Sequence, residues 1–549
     1  MVIGWAGARN ALMVFALLAL SACQTSSLIQ TRADDPDNLP EDYGLVAFKV
    51  ISNTDRLAPS LRNWTGAFAV DLNDPENRYL LTAGGTGLNT SRVFVGAMPP
   101  GEYGIFMLQS LRRTGDGSTW LNARVPRSLG NFRVEEGHLT NLGTLVYQPL
   151  GKFGEGRDQA NLYVIARFDD DEPLEAYVAE SFPEAWAGLH GDQLLGWEPD
   201  GNHEGRSEMA DRLRRFARGI EPHHLMDGQM VMTAPMGQIR VREGEGSWRR
   251  IDTGQNRHLG TLTLHGEGYL AGGERGLILQ APTLEGPWQL LPGPSTQENI
   301  IWLYSDPVGG VVALTEQERE VRLYAVSPDF SSWRTVAEID NRPPPGYPGV
   351  LLKVSAARTS DGRVVVHGGR QRLVYDLISG EIERDERHDY YRFHRQPDGT
   401  FVAVPGHWWT GVANPVFSVD DGLSWTTLQP IREAESWPRP ALPIVLAEDR
   451  FAMISHRIES HPQARRRRYS DEFNARVGST DAIVHWGEPL EKGCNRLVPE
   501  FSSLDHLFVA CEDGRLMVSR DEGRTWSLDL DTTMNEDDRS GSPPRQGTI

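Results

Sequence analysis

Tyr390 and Tyr391 follow Glu381, Glu383 and Glu386 within one short stretch. A tyrosine beside a carboxylate base is a pair that can supply a phenolate nucleophile. Here the five residues lie in a single acidic loop and show no recognisable nucleophile spacing. His223 and His224 are adjacent, so they cannot share one face of regular structure. The other histidines show no metal-ligand spacing. The chain lacks a Gly-x-Ser-x-Gly elbow, a phosphate loop and a dinucleotide fingerprint. No catalytic residue, cofactor or metal is therefore expected. Arg465, Arg466, Arg467 and Arg468 are consecutive on a chain of net charge −20. They read as a solvated loop or as a contact to anionic headgroups, lipopolysaccharide or an acidic partner. His407-Trp408-Trp409 reads as core or as an exposed anchor. Cys494 and Cys511 stand on adjacent strand-like runs. They form either a disulfide, allowed in an oxidising compartment, or two buried thiols.

These residues need a scaffold, and the sequence repeats one. Ser418-Val419-Asp420-Asp421-Gly422-Leu423-Ser424-Trp425 recurs as Ser519-Arg520-Asp521-Glu522-Gly523-Arg524-Thr525-Trp526. Both fit Ser-x-Asp-x-Gly-x-x-Trp between apolar strands. The carboxylates of Asp420 and Asp521 suit an Asx-type turn, and Gly422 and Gly523 suit a positive φ. Trp425 and Trp526 open the outgoing strand and pack over the hairpin. Weaker copies end at Trp248, Trp288, Trp333 and Trp486. Successive Trp gaps are 40, 45, 92, 61 and 40 residues. The long gap of 92 holds one further strand–turn–strand, 373–382. Blades of β-propellers run at about 40–50 residues. The count is seven blades over 220–531, with six or eight as neighbouring solutions.

The two intact copies resemble the Asp-box, or BNR repeat, of sialidase-like β-propellers. The resemblance implies a structural turn on the outer part of each blade, away from a central site. It covers 220–531 and fixes architecture better than activity. Exo-sialidases use an arginine cluster, a Tyr–Glu pair, an Asp and an early Arg-Ile-Pro. The tripeptide is absent near the propeller's start, so a glycoside hydrolase stands only as the alternative function. In architecture the chain is similar to propeller lipoproteins of outer-membrane assembly and to Asp-box factors of photosystem assembly.

Arg9 followed by the apolar run 11–20 is too short to span a bilayer and reads as a signal peptide, 1–22. Leu20-Ser21-Ala22-Cys23 resembles a bacterial lipobox. The resemblance implies that Cys23 becomes the acylated first residue of the mature protein. Gln24 at the next position implies sorting to the outer membrane, facing the periplasm or the cell surface. Residues 23–42 read as a polar tether. Runs in 43–150, including a Pro-Pro-Gly-Glu-Tyr hairpin, resemble small prealbumin-like β-sandwiches. Residues 151–219 read as a mixed α/β connector. Its helix from Ser207 to Ile220 is capped by Ser207 and has an arginine-rich solvated face. Residues 532–549 read as a disordered tail. The expected whole is all-β, a small sandwich followed by a propeller. The negative charge argues against nucleic acid as a partner. The expected function is a non-enzymatic, membrane-anchored scaffold for a protein or envelope partner.

Overall fold

The computed structural model describes residues 30–32, 36, 40–53, 64–84, 91–114, 117–150, 162–169, 172, 174–190, 194–218, 221–225, 228–306, 310–317, 320–340, 354–368, 371–385, 390–405, 415–428, 443–447, 450–459, 468–479, 483–503 and 505–534. Cys23, His407-Trp408-Trp409 and Arg465 to Arg467 lie outside these residues. Arg468 is the first residue of a strand.

The N-terminal strands are β1 (Gln30–Arg32), β2 (Gly44–Ser52), β3 (Gly66–Asp71), β4 (Arg78–Gly84), β5 (Ser91–Met98), β6 (Gly101–Thr114), β7 (Gly117–Arg124), β8 (Phe132–Val134), β9 (Leu139–Pro149) and β10 (Tyr163–Phe168). They pair into one sheet in the order β10-β9-β2-β5-β4-β3-β6-β7, with β1 added to β4 and β8 to β6. The sheet curls over a core that joins both halves of this path. Trp64, just before β3, meets Tyr147 of β9 edge to face at 5.0 Å. The expected small sandwich is thus one continuous ten-stranded sheet rather than two separate sheets. It also extends past the expected limits: β1 lies within the tether span and β10 within the connector span. Three helices cover it: α1 (Glu175–Ser181), α2 (Pro183–Gly188) and α3 (His203–Arg215). Helix α3 begins four residues before Ser207, and Asn202 precedes it without a side-chain cap.

Seven four-stranded antiparallel sheets follow, each a consecutive meander. They span 221–252, 259–291, 299–340, 355–385, 390–427, 444–489 and 494–530, and are called blades 1 to 7, with strands A to D in chain order. The A strands of blades 1 to 5 pack on one another in turn, so strand A is innermost. Six blades carry a tryptophan in strand D or directly before it; blade 4 closes instead on Ile382–Asp385. The seven sheets therefore fall where the tryptophan spacing put them, including the blade without one.

Among the described residues, no strand is exchanged to close the ring. Asp529, in strand D of blade 7, accepts from Arg242 Nε (3.1 Å) and Nη2 (2.9 Å), from Gly246 N (3.1 Å) and from Trp248 Nε1 (2.9 Å), all in blade 1. Phe501 and Trp248 pack beside this clamp. The chain then returns to the N-terminal sheet. Met534 is fully buried with Ile51, Val146 and Leu213, so the tail's first three residues belong to the core rather than to a disordered end.

Candidate binding face

A meander of four strands has two ends. The A–B and C–D turns lie at one, the B–C turns and the D–A connections at the other. The Ser-x-Asp-x-Gly-x-x-Trp segments are C–D turns. In blade 5, Ser418 Oγ donates to Asp420 Oδ1 (2.6 Å), and Gly422 N donates to Ser418 Oγ (2.9 Å). The Ser424 N–H and hydroxyl close on the two Asp420 oxygens (2.9 and 2.5 Å). Blade 7 repeats the arrangement with Ser519, Asp521, Gly523 and Thr525. Gly422 and Gly523 both adopt φ 79°, and the residues before them, Asp421 and Glu522, are also left-handed at 58° and 59°. The shortened copy in blade 3 builds a related network from Ser327, Asp329 and Ser331, with Phe330 at φ 58°.

These carboxylates are consumed by their turns. Hydrogen bonds from Ser418 and Ser424 hold Asp420 down to about 2. At Asp521 partial burial pulls upward, but donation from Thr525 and Ser519 outweighs it and the result is again about 2. The indoles are anchored too: Trp425 Nε1 donates to Gly422 O (3.0 Å), and Trp288 Nε1 to Leu284 O (3.0 Å). The left-handed residue reaches the preceding blade. Asp421 accepts from Ser360 N at 3.0 Å, and Glu522 pairs with Arg450 at 2.8 Å. Sequence reasoning missed this second role, because only the fold brings the partner turns together.

The opposite end is partly occupied by the N-terminal domain. Lys49 of β2 is fully buried, contacts Glu172 and donates to Asn256 O (2.8 Å) in the connection between blades 1 and 2. Glu274, in the B–C turn of blade 2, lies 3.8 Å from the ammonium. Arg275 and Arg257 of the propeller pair with Glu172, completing a buried network across the junction. Burial pushes the Lys49 amine well down, Arg275 and Arg257 push the same way, and Glu274 opposes them. Asn53 accepts from Arg218 N (2.6 Å) and donates to Phe216 O (2.9 Å). On α1, Glu180 accepts from Thr296 N (2.9 Å) between blades 2 and 3. The arginines expected on a solvated face are partly used here: Arg218 is buried, and Arg214 stacks on Phe168 and donates to Asn256 (2.8 Å). The domain thus sits over the B–C/D–A end of blades 7, 1, 2 and 3.

The contacts that Lys49, Glu172 and Glu180 make with the propeller all fall at the B–C/D–A end; the A–B/C–D end is the other. Its innermost turns carry mixed polar groups. Tyr304 donates to Asp306 (3.0 Å), and the Arg358 guanidinium lies 5.3 Å over the Tyr304 ring. His394 of blade 5 faces Glu500 of blade 7 at 3.4 Å, so the long A–B turn of blade 7 reaches past blade 6. Further out, Ile378, Val419 and Leu423 expose 87%, 78% and 70% of their surface from the C–D turns of blades 4 and 5.

Glu386 and the side chains of Tyr390 and Tyr391 lie outside what the structure describes; a Tyr–Glu pair does occur in blade 3. Tyr324 donates to Glu298 (3.0 Å), which also takes Arg322 (2.8 Å). Tyr324 is buried, and burial with the neighbouring carboxylate raises its pKa, the wrong direction for a phenolate nucleophile. Cys494 and Cys511 are directly opposed on strands A and B of blade 7 and are joined as a disulfide. Among the described residues, no group of three His, Cys, Asp or Glu is placed to hold a metal ion, and no helix is long and apolar enough to cross a membrane.

No protein-family model matches the chain, and no curated protein matches it. Solved propellers are similar to part of it. A structure described as YCF48 bound to D1 peptide is 13% identical, covering 58% of this chain and 83% of that one, with a TM-score of 0.30. The Cps50 (Swd1) β-propeller domain of Myceliophteria thermophila is 10% identical over 55% and 97%, at 0.36. A 6-phosphogluconolactonase-like protein of Bacteroides fragilis is 10% identical over 56% and 96%, at 0.35. At these scores the blade count rests on the strand pairing described above.

Proposed function

We propose that this protein is a non-enzymatic lipoprotein of a bacterial envelope, anchored through Cys23, whose propeller is a docking scaffold for a protein partner. The carrying observation is how the ring's two ends are used. The N-terminal domain occupies one end over four blades, while the other presents Ile378, Val419 and Leu423 from rigid turns. Exposed apolar side chains on a fixed frame are the usual material of a binding surface. The Ser-x-Asp-x-Gly-x-x-Trp turns are structural elements of the Asp-box kind in this reading. Arg465 to Arg468 are a second contact, for an anionic partner or surface; they join strands B and C of blade 6, outside the blades that the N-terminal domain covers.

The test is crosslinking in native membranes. The Ile378→Ser/Val419→Ser/Leu423→Ser variant is expected to fold and to lose the crosslinked species at least tenfold. The variant with Ser at 465–468 is expected to slow capture at low salt only, because exposed charges are screened over about 8 Å at physiological ionic strength. Unchanged capture by both variants would rule out the scaffold as drawn. Palmitate labelling that persists in Cys23→Ser would rule out the anchor.

A further inference from the structure

The pairing of β1 carries information about how the molecule stands. Gln30, Thr31 and Arg32 run parallel to Arg78, Tyr79 and Leu80 at the start of β4. The chain before Gln30 therefore leaves beside the β3–β4 turn, 72–77. The register puts Met98 opposite Gly44, at this same pole of the sheet. The propeller attaches elsewhere: its contacts with β2 run from Lys49, bonded to Asn256, to Ile51, packed with Ala234 and Met236. Five residues of strand, about 16 Å, separate Gly44 from Lys49.

Only seven residue steps lie between Cys23 and Gln30. Whatever path they take, such a segment spans at most about 25 Å. We propose that the pole formed by the 72–77 and 99–100 turns is the membrane-proximal surface, facing the lipid in which Cys23 is held. The propeller then stands on the side of the N-terminal domain away from the bilayer. This rests on the lipoprotein reading above. The short leash, not the fold alone, sets the stance: a tether of 23–42 free along its whole length would let either domain approach the lipid.

Charge says how close the pole comes. Glu41, Asp42, Asp74, Glu76 and Glu136 are exposed there. Arg78 and Arg133 oppose them, Arg133 already facing Glu102 at 3.4 Å. An acidic pole does not adhere to anionic headgroups. The repulsion fades over about 8 Å at physiological salt, well within the leash. The pole is accordingly held near the surface without lying on it.

The experiment uses the full mature chain in vesicles of phosphatidylethanolamine and phosphatidylglycerol. A fluorophore is attached through a clickable amino acid at Asn73 or at Val419, and a headgroup-bound quencher reports proximity. Quenching at Asn73 is expected to exceed that at Val419 at least threefold. A twenty-residue Gly/Ser insertion after Gln24 is expected to erase most of the difference. Equal quenching at both sites without the insertion, or stronger quenching at Val419, would overturn the proposal. The mass of the N-terminal peptide reports acylation separately. If Cys23 carries no lipid in cells, the lipoprotein reading fails. The geometric claim is then still read from chains whose Cys23 is coupled to a maleimide phospholipid, the other two cysteines being bonded to each other.

Discussion

Asp420 and Asp521 show how much one residue type can fix locally. Each carboxylate collects donors from its own turn, and each is held at about 2 against an ordinary 3.8. A carboxyl depressed on folding stabilises the native state above its unfolded pKa and loses that contribution as pH falls through the folded value. The acid limb of stability should therefore steepen between pH 4 and 2, and melting curves of Asp521→Asn should show a shallower limb than wild type. Asp521→Ala should cost about 1 kcal/mol at neutral pH, the low end for lost hydrogen bonds, because the turn is only partly shielded from water. Denaturant midpoints check this, and partner capture should stay unchanged in the folded fraction. Residue chemistry of this kind was legible in the sequence, because donor and acceptor lie within five positions. The bonds from Asp421 to Ser360 and from Glu522 to Arg450 were not: their partners are 61 and 72 positions away, and no local pattern specifies them.

At the scale of elements, periodicity carried the blades and failed at the joints. Tryptophan recurs because in six of the seven blades a large apolar ring at strand D covers the hairpin, so its spacing reports blade length even where Gly or Asp has eroded. Helix α3 was legible as amphipathic, but its start and the fate of its arginines were not. Arg214 and Arg218 are committed by Phe168, Asn256 and the B–C turn of blade 7, none of which is near in sequence. Ring closure is the element-scale counterpart, since one carboxylate from blade 7 takes four donors of blade 1. Asp529→Asn leaves Arg242 poorly compensated in a largely buried site and should destabilise by about 3 kcal/mol. Hydrogen exchange should then rise first in the outer strands of blades 7 and 1. Uniform exchange across all blades would mean that Asp529 is not the closing clamp. Replacing both Cys494 and Cys511 by Ala should cost about 3 kcal/mol, the expectation for a loop of roughly 15 residues, read as a lower denaturant midpoint under oxidising conditions.

For the whole molecule the question is whether two domains act as one body. Composition and repeats divided the chain but gave no sign of the junction, because Lys49, Glu172, Glu274 and Arg275 come from three separate stretches. An ammonium buried between two carboxylates contributes little net stability, since desolvation offsets attraction, yet removing one partner leaves a charge that the interior cannot tolerate. Its consequence is registry: Lys49 and Glu180 fix the domain at two points of the propeller, the connection between blades 1 and 2 and that between blades 2 and 3. Lys49→Met should therefore loosen docking by more than it unfolds either domain. In hydrogen exchange, 253–258 and 273–276 should lose protection by at least tenfold, while the strands of blades 4 to 6 stay unchanged. Glu274→Gln, made on the propeller side, should act in the same direction but more weakly, because Glu172 still faces the ammonium. The double variant should cost less than the sum of the two single effects, as for residues in one network. Additive effects would mean that the two groups are not coupled across the junction.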